Sequence, residues 1–216
     1  MQRNEIVIDP PLAGHWVIYN PPGHPGLAYD FLAEDRKKSL YRRGGFLRHL
    51  FSFISVEDTL TWSSPVYSPV DGVVVESHDA EVDRKRISFA YDLVSLLLNK
   101  PEVANGFGAF GGNHVMIQAE GYFVLLCHLK KGSLIVKEGD QVTAGQKVGE
   151  VGNSGSSIQP HLHVQVMSDE KIFPLFANLV PFRISRAKVM QDRDWILQQN
   201  IQPKNRAHYL FERIDV

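Results

Sequence analysis

The sequence lacks most of the features that assign a chain to a specialised class of protein. Cys127 is its single cysteine, so no disulfide forms within the chain and the redox compartment stays open. No run of about 18 apolar residues is present, which predicts no transmembrane helix. The N-terminal stretch has no long apolar segment, so we predict no signal peptide and a soluble protein. The formal net charge of −1 gives no indication of nucleic acid or a membrane surface as a partner.

The composition that is present suits a globular protein with a substantial core. Of the 216 residues, 44% are hydrophobic and 22% are charged. From Tyr67 to Val166, short strand-like segments rich in valine alternate with turns that contain glycine. This spacing is typical of a β-sandwich or barrel, so we predict a mainly β fold.

Three segments favour helices. In FLRHLFSFI (46–54), apolar residues recur at i, i+3, i+4 and i+7, which predicts a short amphipathic helix that packs on the core, although a basic helix of this kind can also touch a membrane. Ala90, Leu93, Val94 and Leu97 predict a second helix, and we interpret QDRDWILQQNIQ (191–202) as a third. The glycine-rich NGFGAFGGN (105–113) lacks the Lys-Ser/Thr ending of a phosphate-binding loop, and we interpret it as a flexible connector.

The segment QPHLHVQV (159–166) places two histidines on one face of a strand. Because alternate side chains of a strand point the same way, His161 and His163 project together and Leu162 turns toward the core. A pair of solvent-facing polar residues explains this pattern on its own. A metal site or an acid/base pair requires partners from other parts of the chain.

His128 is one such partner. It ends the apolar strand YFVLLCHL (122–129), where alternation places it on the face of Leu126 and opposite to Cys127. A lone histidine at the end of an apolar strand is more often structural than catalytic. Its meaning therefore depends on the other segments.

A third segment, GHPGLAYDF (23–31), carries His24 and Asp30 on either side of a turn. A carboxylate among large apolar neighbours is costly to bury unless it is paired or binds a metal. Catalytic zinc uses three nitrogen or oxygen ligands at about 2 Å and keeps an open position. Two histidines and one aspartate satisfy this and leave other imidazoles to move protons. No H-E-x-x-H helix is present, so strands must hold any metal.

Four segments resemble, in their order and spacing, the LytM/lysostaphin-type zinc endopeptidase family. They are SPVDGVVV, GGNHVMIQAEGYFVLLCHL, VKEGDQVTAGQKVGEVGNSGSS and QPHLHVQV. The resemblance covers about residues 14–182 and is strongest over 113–166. It implies an antiparallel β-sandwich or barrel-sandwich core with short inserted helices, and a groove whose floor carries Zn²⁺. It also implies one domain over 1–216, with its core at about 14–182, insertions at about 33–64 and 79–112, and a C-terminal extension at 183–216.

The resemblance also implies roles for the polar residues. Asp30 and His163 match zinc ligands, and His128 and His161 match the paired catalytic histidines beside the metal-bound water. The family's first motif is H-x-x-x-D, whereas His24 lies six residues before Asp30. We expect the flexible GHPG turn to absorb the two extra residues and bring His24 to the metal as the third ligand.

Two histidines are weaker substitutes for His24 as the third ligand, namely His15 and His49. We interpret the remaining three, His78, His114 and His208, as structural or solvated.

The function that the resemblance implies is hydrolysis of peptide bonds by attack of a zinc-bound water, with a peptide or a peptidoglycan cross-link of the bacterial cell envelope as substrate. One alternative is a LytM-like module that has lost activity and regulates other wall enzymes, which the irregular first motif favours. Another is a histidine phosphocarrier-like domain, in which His128 and His161 act without zinc. That reading leaves Asp30 and the second histidine of HLH unexplained.

Overall fold

The computed structural model describes residues 5–21, 24–98, 107–172 and 178–212, and for 95–98 it describes the backbone alone. Over these ranges the chain is mainly β with short helices, as predicted. The strands are β1 (Ile6–Ile8), β2 (Gly14–Ile18), β3 (Ala28–Ala33), β4 (Ile54–Ser55), β5 (Pro65–Tyr67), β6 (Gly72–His78), β7 (Arg86–Ile87), β8 (Asn113–Ala119), β9 (Tyr122–Leu129), β10 (Gln141–Val142), β11 (Lys147–Glu150), β12 (Leu162–Met167), β13 (Phe182–Gln191), β14 (Asp194–Ile201) and β15 (His208–Phe211). The helices are α1 (Phe46–Phe51), α2 (Phe89–Leu98) and α3 (Phe107–Gly111).

Eleven of these strands form one large sheet. Its order is β1-β13-β15-β2-β3-β12-β9-β8-β6-β10, and β14 pairs with β13. The pairing is antiparallel at the centre, and β1 joins β13 in parallel. The strands that carry the candidate site, β3, β12 and β9, therefore lie side by side in the middle of the sheet.

The larger apolar core covers one face of the central strands. Leu162 and Val164 of β12 and Leu126 of β9 are fully buried in it. Leu125 and Cys127, which alternate with Leu126, belong to a second apolar cluster on the opposite face. Burying a leucine or valine side chain stabilises the fold by about 1.5–3 kcal/mol, so this alternation fixes the register of the strands. Leu162 turns into the core, as predicted.

The two insertions pack against each other. β4 and β7 form a two-stranded sheet apart from the large one, with Ile54 opposite Ile87. A small apolar cluster surrounds it, made of Tyr41, Ile54, Val56, Trp62 and Ile87. The bounds of the insertions and the division of the chain into one domain stay predictions.

The prediction that α1 packs through its apolar stripe is wrong. Leu47 is 71% exposed and Phe51 is 79% exposed, whereas His49 is fully buried and bonds to the Tyr41 hydroxyl at 2.8 Å. The helix ends at Phe51, so Ile54 reaches the small apolar cluster from β4 instead of from the helix. A helix of six residues is too short for the predicted stripe to form one face.

The stripe predicted for α2 also faces outward. Ala90, Leu93 and Val94 are exposed, and the polar Asp92 is buried; the side chain of Leu97 lies outside the described residues. The glycine-rich connector contains helix α3, so the prediction of a loop there is wrong for its described part. Among the described residues, no helix is long and apolar enough to cross a membrane.

Residues 191–202, interpreted from the sequence as a helix, form a turn and strand β14 instead. β13 turns into β14 through Asp192 and Arg193, which have φ values of 45° and 79°, and Gln191 pairs with Asp194. A two-residue loop with positive φ at both positions matches the twist of the strands that it joins. Pairing with β13 therefore overrides the helical spacing. β15 then pairs with β2 and ties the C-terminal extension to the large sheet.

Candidate metal centre

Backbone pairing brings three of the predicted site residues to one face of the sheet. His163 of β12 lies opposite Asp30 of β3 on one side and Cys127 of β9 on the other. Because directly paired residues point to the same face, Asp30 and His163 project together on the face of Cys127. His161, two residues before His163, projects in the same direction, with its Nε2 at 3.6 Å from Asp30 Oδ1.

His24 reaches this cluster from the turn before β3. Its Nε2 lies 3.1 Å from Asp30 Oδ1 and 3.3 Å from His163 Nδ1. His163 Nδ1 lies 2.9 Å from the same Asp30 oxygen. The turn that absorbs the two extra residues is closed by a hydrogen bond from the amide of Ala28 to the carbonyl of Pro25. The structure thus places His24, Asp30 and His163 together.

The hydrogen bonds behind these imidazoles decide which nitrogen faces the centre. His24 Nδ1 lies 3.0 Å from the carbonyl of Pro25, and His163 Nε2 lies 3.0 Å from the amide oxygen of Gln165. A neutral imidazole has one N–H, and in each case the outer acceptor takes it. The inner nitrogens and Asp30 Oδ1 then present three lone pairs to one another. Such an arrangement repels unless a cation lies among them.

The spacing of the three inner atoms fits a zinc ion. Zinc bonds of about 2.0–2.1 Å in a tetrahedron place neighbouring ligand atoms about 3.3 Å apart. The observed separations are 2.9, 3.1 and 3.3 Å. Two nitrogens and one oxygen also match the donor types of catalytic zinc, with a fourth position open. The residues present therefore fit the metal that the sequence predicts.

The electrostatics of the cluster favour positive charge. Burial raises the pKa of Asp30, but the charge of His161 and the hydrogen bonds with His163 and His24 outweigh it and hold the pKa well below its usual value. Burial lowers the pKa of His163, but the hydrogen bond and charge of Asp30 outweigh it and raise the pKa. The pair therefore stabilises a cation at His163 Nδ1, either a proton or a metal ion.

His128 joins the site through a distortion of its strand. Opposite β8, two residues of β9 take the place of one, because Asn113 pairs with Leu129 and Val115 pairs with Leu126. At this bulge His128 has a φ of 61°, a left-handed conformation that costs about 1–3 kcal/mol in a residue other than glycine. The prediction that His128 shares the face of Leu126 is wrong: Leu129 joins that core instead, and His128 turns toward His161.

His128 and His161 lie next to each other beside the cluster, with their ring planes tilted by 51°. Their ring centres are 4.5 Å apart. His128 Nδ1 donates to the carbonyl of Ser154 at 2.9 Å and His161 Nδ1 to the carbonyl of Gln159 at 2.8 Å. Burial, followed by the charges of neighbouring histidines, holds the pKa of His128 well below its usual value, and burial also lowers the pKa of His161. Each Nε2 is thus left with a lone pair that can accept a proton.

Ser154 is held in place by a close contact between two loops. Gly155 has a φ of 65°, and an added Cβ would lie 2.3 Å from the backbone nitrogen of Gly112. Gly121 is also left-handed, with a φ of 82°, but a Cβ there meets nothing within 4 Å.

We expect Gly155→Ala to lower the free energy of unfolding by about 3 kcal/mol and Gly121→Ala by about 1 kcal/mol. Urea unfolding measures both, and equal losses contradict the close approach.

Two positioning residues were missed by the sequence analysis. Gln165 orients His163, and its spacing of two on the same strand face is a signal that could have identified it. Asn20 accepts a hydrogen bond from the amide of Asp30 at 3.1 Å and donates one to Ala28 at 2.7 Å. Asn205 of the C-terminal extension in turn accepts from the amide of Asn20. No pattern in the sequence links these two asparagines.

The substitutes considered for His24 lie elsewhere. His15 packs against Trp195 with ring centres 5.1 Å apart, and His49 bonds to Tyr41. The remaining histidines have partners of their own: His114 with Glu76, His208 with Glu34 and His78 with Glu81. None of these side chains belongs to the cluster of His24, Asp30 and His163 in the described part of the chain.

A cleft of about 580 Å³ opens beside His24. It runs between the connection of β2 to β3 and the loop from β14 to β15, and its lining includes Tyr19, Asn20, His24, Tyr29, Gln202 and Arg206. The C-terminal extension thus forms one wall of the space next to His24. A peptide that reaches the site has room along this wall.

The chain is similar to several known peptidases. Residues 100–174 match the model of Peptidase family M23. The peptidoglycan DD-endopeptidase ShyA of Vibrio cholerae is 31% identical over 105 residues, 48% of this chain, and an uncharacterized metalloprotease of Buchnera aphidicola is 40% identical over 67 residues, 31% of this chain. The match spans 17% of the length of each of these two relatives.

Solved structures give a weaker likeness. The catalytic domain of lysostaphin from Staphylococcus simulans is 19% identical, with 78% of this chain and 84% of that one covered and a TM-score of 0.42. The stronger likeness to known peptidases is in the sequence, over residues 100–174.

Proposed function

We propose, from the premise that this chain belongs to the LytM/lysostaphin type of Peptidase family M23, that it is a zinc-dependent endopeptidase acting on bacterial peptidoglycan. The observation that carries the proposal is the convergence of His24, Asp30 and His163, whose inner atoms have the spacing of ligands to one tetrahedral ion. Peptidoglycan is the substrate named for the Vibrio cholerae relative, and the bacterial cell envelope is then the place of action.

The proposed mechanism divides the work between two sets of residues. His24, Asp30 and His163 would hold the zinc ion, and Gln165 and Asn20 keep His163 and Asp30 in position. The bound ion supplies a Lewis acid that polarises the scissile carbonyl and lowers the pKa of water to about 7.

His128 and His161 handle the protons. The lowered pKa of each ring favours its neutral form, in which the Nε2 of one histidine accepts a proton from the attacking water and an Nε2–H of the pair donates a proton to the leaving amine. The carbonyls of Ser154 and Gln159 keep each Nδ1–H occupied, so that Nε2 is the atom that exchanges the proton. The strained backbone of His128 is what turns its ring toward the site.

The direct test is cleavage of isolated peptidoglycan. The zinc-loaded chain is incubated with purified sacculi and with cross-linked muropeptide dimers, and the products are separated and identified by mass. We expect new amino termini from the dimers, their loss after treatment with a chelator, and their return with added zinc. Asp30→Asn is the inactive control.

The binding-module alternative gives a different result in the same assay. A chain that binds sacculi and holds one zinc ion but releases no product contradicts the proposed activity.

Arg206 gives the cleft a recognition group. Its side chain has no hydrogen-bonding or ionic partner among the described residues, and it lines the cleft that contains His24. We propose that it binds a carboxylate of the peptide. Arg206→Asn, in which asparagine tolerates the left-handed backbone (φ 64°), is expected to raise KM about tenfold with little change in kcat.

The control for Arg206 is Arg193→Asn. Arg193 has a φ of 79° in the β13–β14 turn and does not line the cleft. Steady-state kinetics on a muropeptide dimer measure both variants. An unchanged KM for Arg206→Asn contradicts its role in the cleft.

A further inference from the structure

Half of the exposed large apolar side chains of the described residues lie on or beside one pair of helices. Seven of the fourteen exposed large hydrophobic residues of the described chain fall in two short segments around α1 and α2. We call them the helical patch: Phe46, Leu47, Phe51, Phe53, Tyr91, Leu93 and Val94. Apolar side chains exposed together in this way mark a surface that binds a protein, a membrane or a ligand.

Aromatic contacts join the two segments of the helical patch. The ring centres of Phe53 and Tyr91 lie 5.4 Å apart, and those of Phe46 and Phe89 lie 6.0 Å apart. α1 and α2 therefore present one surface. Its most exposed members are Leu47 and Phe51, at 71% and 79%.

The outward orientation of these apolar side chains is fixed by polar contacts beneath them. His49 is buried under α1 and bonds to Tyr41. Asp92 is buried under α2, where it accepts hydrogen bonds from Arg84 and from the amide of Ser88. Turning the helices over would bury apolar residues but would expose or break these pairs. The buried polar pairs thus keep the apolar side chains of the two helices pointing outward.

Positive charge is concentrated in the segment that leads into and contains α1, and we call this group of side chains the cationic rim. Residues 36–53 contain six cationic side chains and no acidic one, in a chain whose formal net charge is −1. The six are exposed: Arg36, Lys37, Lys38, Arg42, Arg43 and Arg48. From the side of α2, the guanidinium of Arg86 lies 5.6 Å from the Phe53 ring centre.

We propose that the helical patch and its cationic rim dock the protein on an anionic lipid surface. Apolar side chains of such a surface enter the boundary between headgroups and acyl chains, while lysines and arginines contact lipid phosphates. A second copy of the chain fits less well, because the matching rims would bring like charges together.

The docking surface connects physically to the candidate metal centre. Arg84 joins the buried Asp92 of α2 to the carbonyl of Ser157. The hydroxyl of Ser157 lies 3.2 Å from Nδ1 of His161. A chain held at a membrane by α1 and α2 therefore has the catalytic groove fixed relative to the lipid surface. The docking itself requires neither zinc nor peptidase activity.

The test is sedimentation of the full chain with lipid vesicles. We expect binding to vesicles of phosphatidylcholine with about one third phosphatidylglycerol, and much weaker binding to phosphatidylcholine alone. Arg43→Gln with Arg48→Gln is expected to weaken binding about fivefold per arginine. Leu47→Gln with Phe51→Gln is expected to weaken it about tenfold or more.

Matched controls carry the same substitutions elsewhere on the surface. Ile135→Gln with Leu197→Gln removes two apolar side chains that are 64% and 58% exposed, and Arg186→Gln with Arg193→Gln removes two exposed arginines. Both controls are expected to bind as the unaltered chain does. Circular dichroism confirms that every variant is folded.

Three outcomes overturn the proposal. One is equal binding to neutral and anionic vesicles, which removes the role of charge. Another is vesicle binding that the patch variants leave unchanged. The third is no vesicle binding by the unaltered chain. Light scattering then shows whether the patch instead joins two copies, because a dimer formed through it would dissociate in the Leu47→Gln with Phe51→Gln variant.

Discussion

Replacing His163 by alanine is expected to lower the zinc content of the purified protein from about one ion per chain to below about 0.1. His163 Nδ1 is one of the three inner atoms of the proposed metal site, at 2.9 Å from Asp30 Oδ1 and 3.3 Å from His24 Nε2. Its loss leaves one imidazole and one carboxylate, too few to hold the ion. Elemental analysis of dialysed protein measures the loss, and cleavage of muropeptide dimers should fall to background.

His78→Ala is the control for this variant. His78 is a partly exposed histidine outside the cluster, paired with Glu81, so its removal should leave zinc at about one per chain. Thermal unfolding shows whether each variant is folded. A folded His163→Ala protein that keeps its zinc contradicts the assignment of His163 as a ligand.

The two histidines proposed to move protons, His128 and His161, are expected to behave differently from His163. His128→Asn and His161→Ala should keep about one zinc per chain while kcat falls about 10²–10⁴-fold. Asparagine suits position 128 because it tolerates the left-handed backbone there. Zinc content and kcat are expected to respond separately because Nδ1 of His128 and of His161 each donates a hydrogen bond to a backbone carbonyl. The two rings lie together beside the cluster.

Zinc content and kcat together decide between the two sets of roles. Loss of zinc from folded His128→Asn equal to that from His163→Ala would mean that His128 is a ligand. An unchanged kcat in both His128→Asn and His161→Ala would remove the acid/base pair from the mechanism.

Much of the candidate site follows from strand geometry and could be predicted from the sequence. The two-residue period of a strand places His161 and His163 on one face and Leu162 in the core. The GHPG turn absorbs two extra residues because glycine and proline allow a compact bend before β3. Mainly β structure likewise follows from the valine-rich segments and their turns.

His128 shows where this reasoning fails. Strict alternation assigns it to the core face with Leu126, but the bulge opposite β8 turns it to the other face. A left-handed histidine is stable only when its surroundings compensate for the strain. Its hydrogen bond to Ser154 is part of that compensation, and Ser154 comes from a distant loop. The local pattern contains no sign of it.

The predictions for the helices and for the C-terminal extension fail for a related reason. Apolar periodicity predicts that α1 and α2 have an apolar side, but the side that faces the protein depends on which partners lie beneath. Here the buried partners are polar, Tyr41 for His49 and Arg84 for Asp92. In the tail, pairing of β14 with β13 decides the structure, and that pairing depends on a tight turn at Asp192 and Arg193.

The most direct test of the central claim is the zinc content of the unaltered chain, measured by elemental analysis after purification without chelator and dialysis against metal-free buffer. Convergence of His24, Asp30 and His163 on one ion predicts about one tightly held zinc per chain. A value near zero that is not restored when zinc is added to the folded protein would contradict it, because the lengthened first motif would then fail to deliver its ligand.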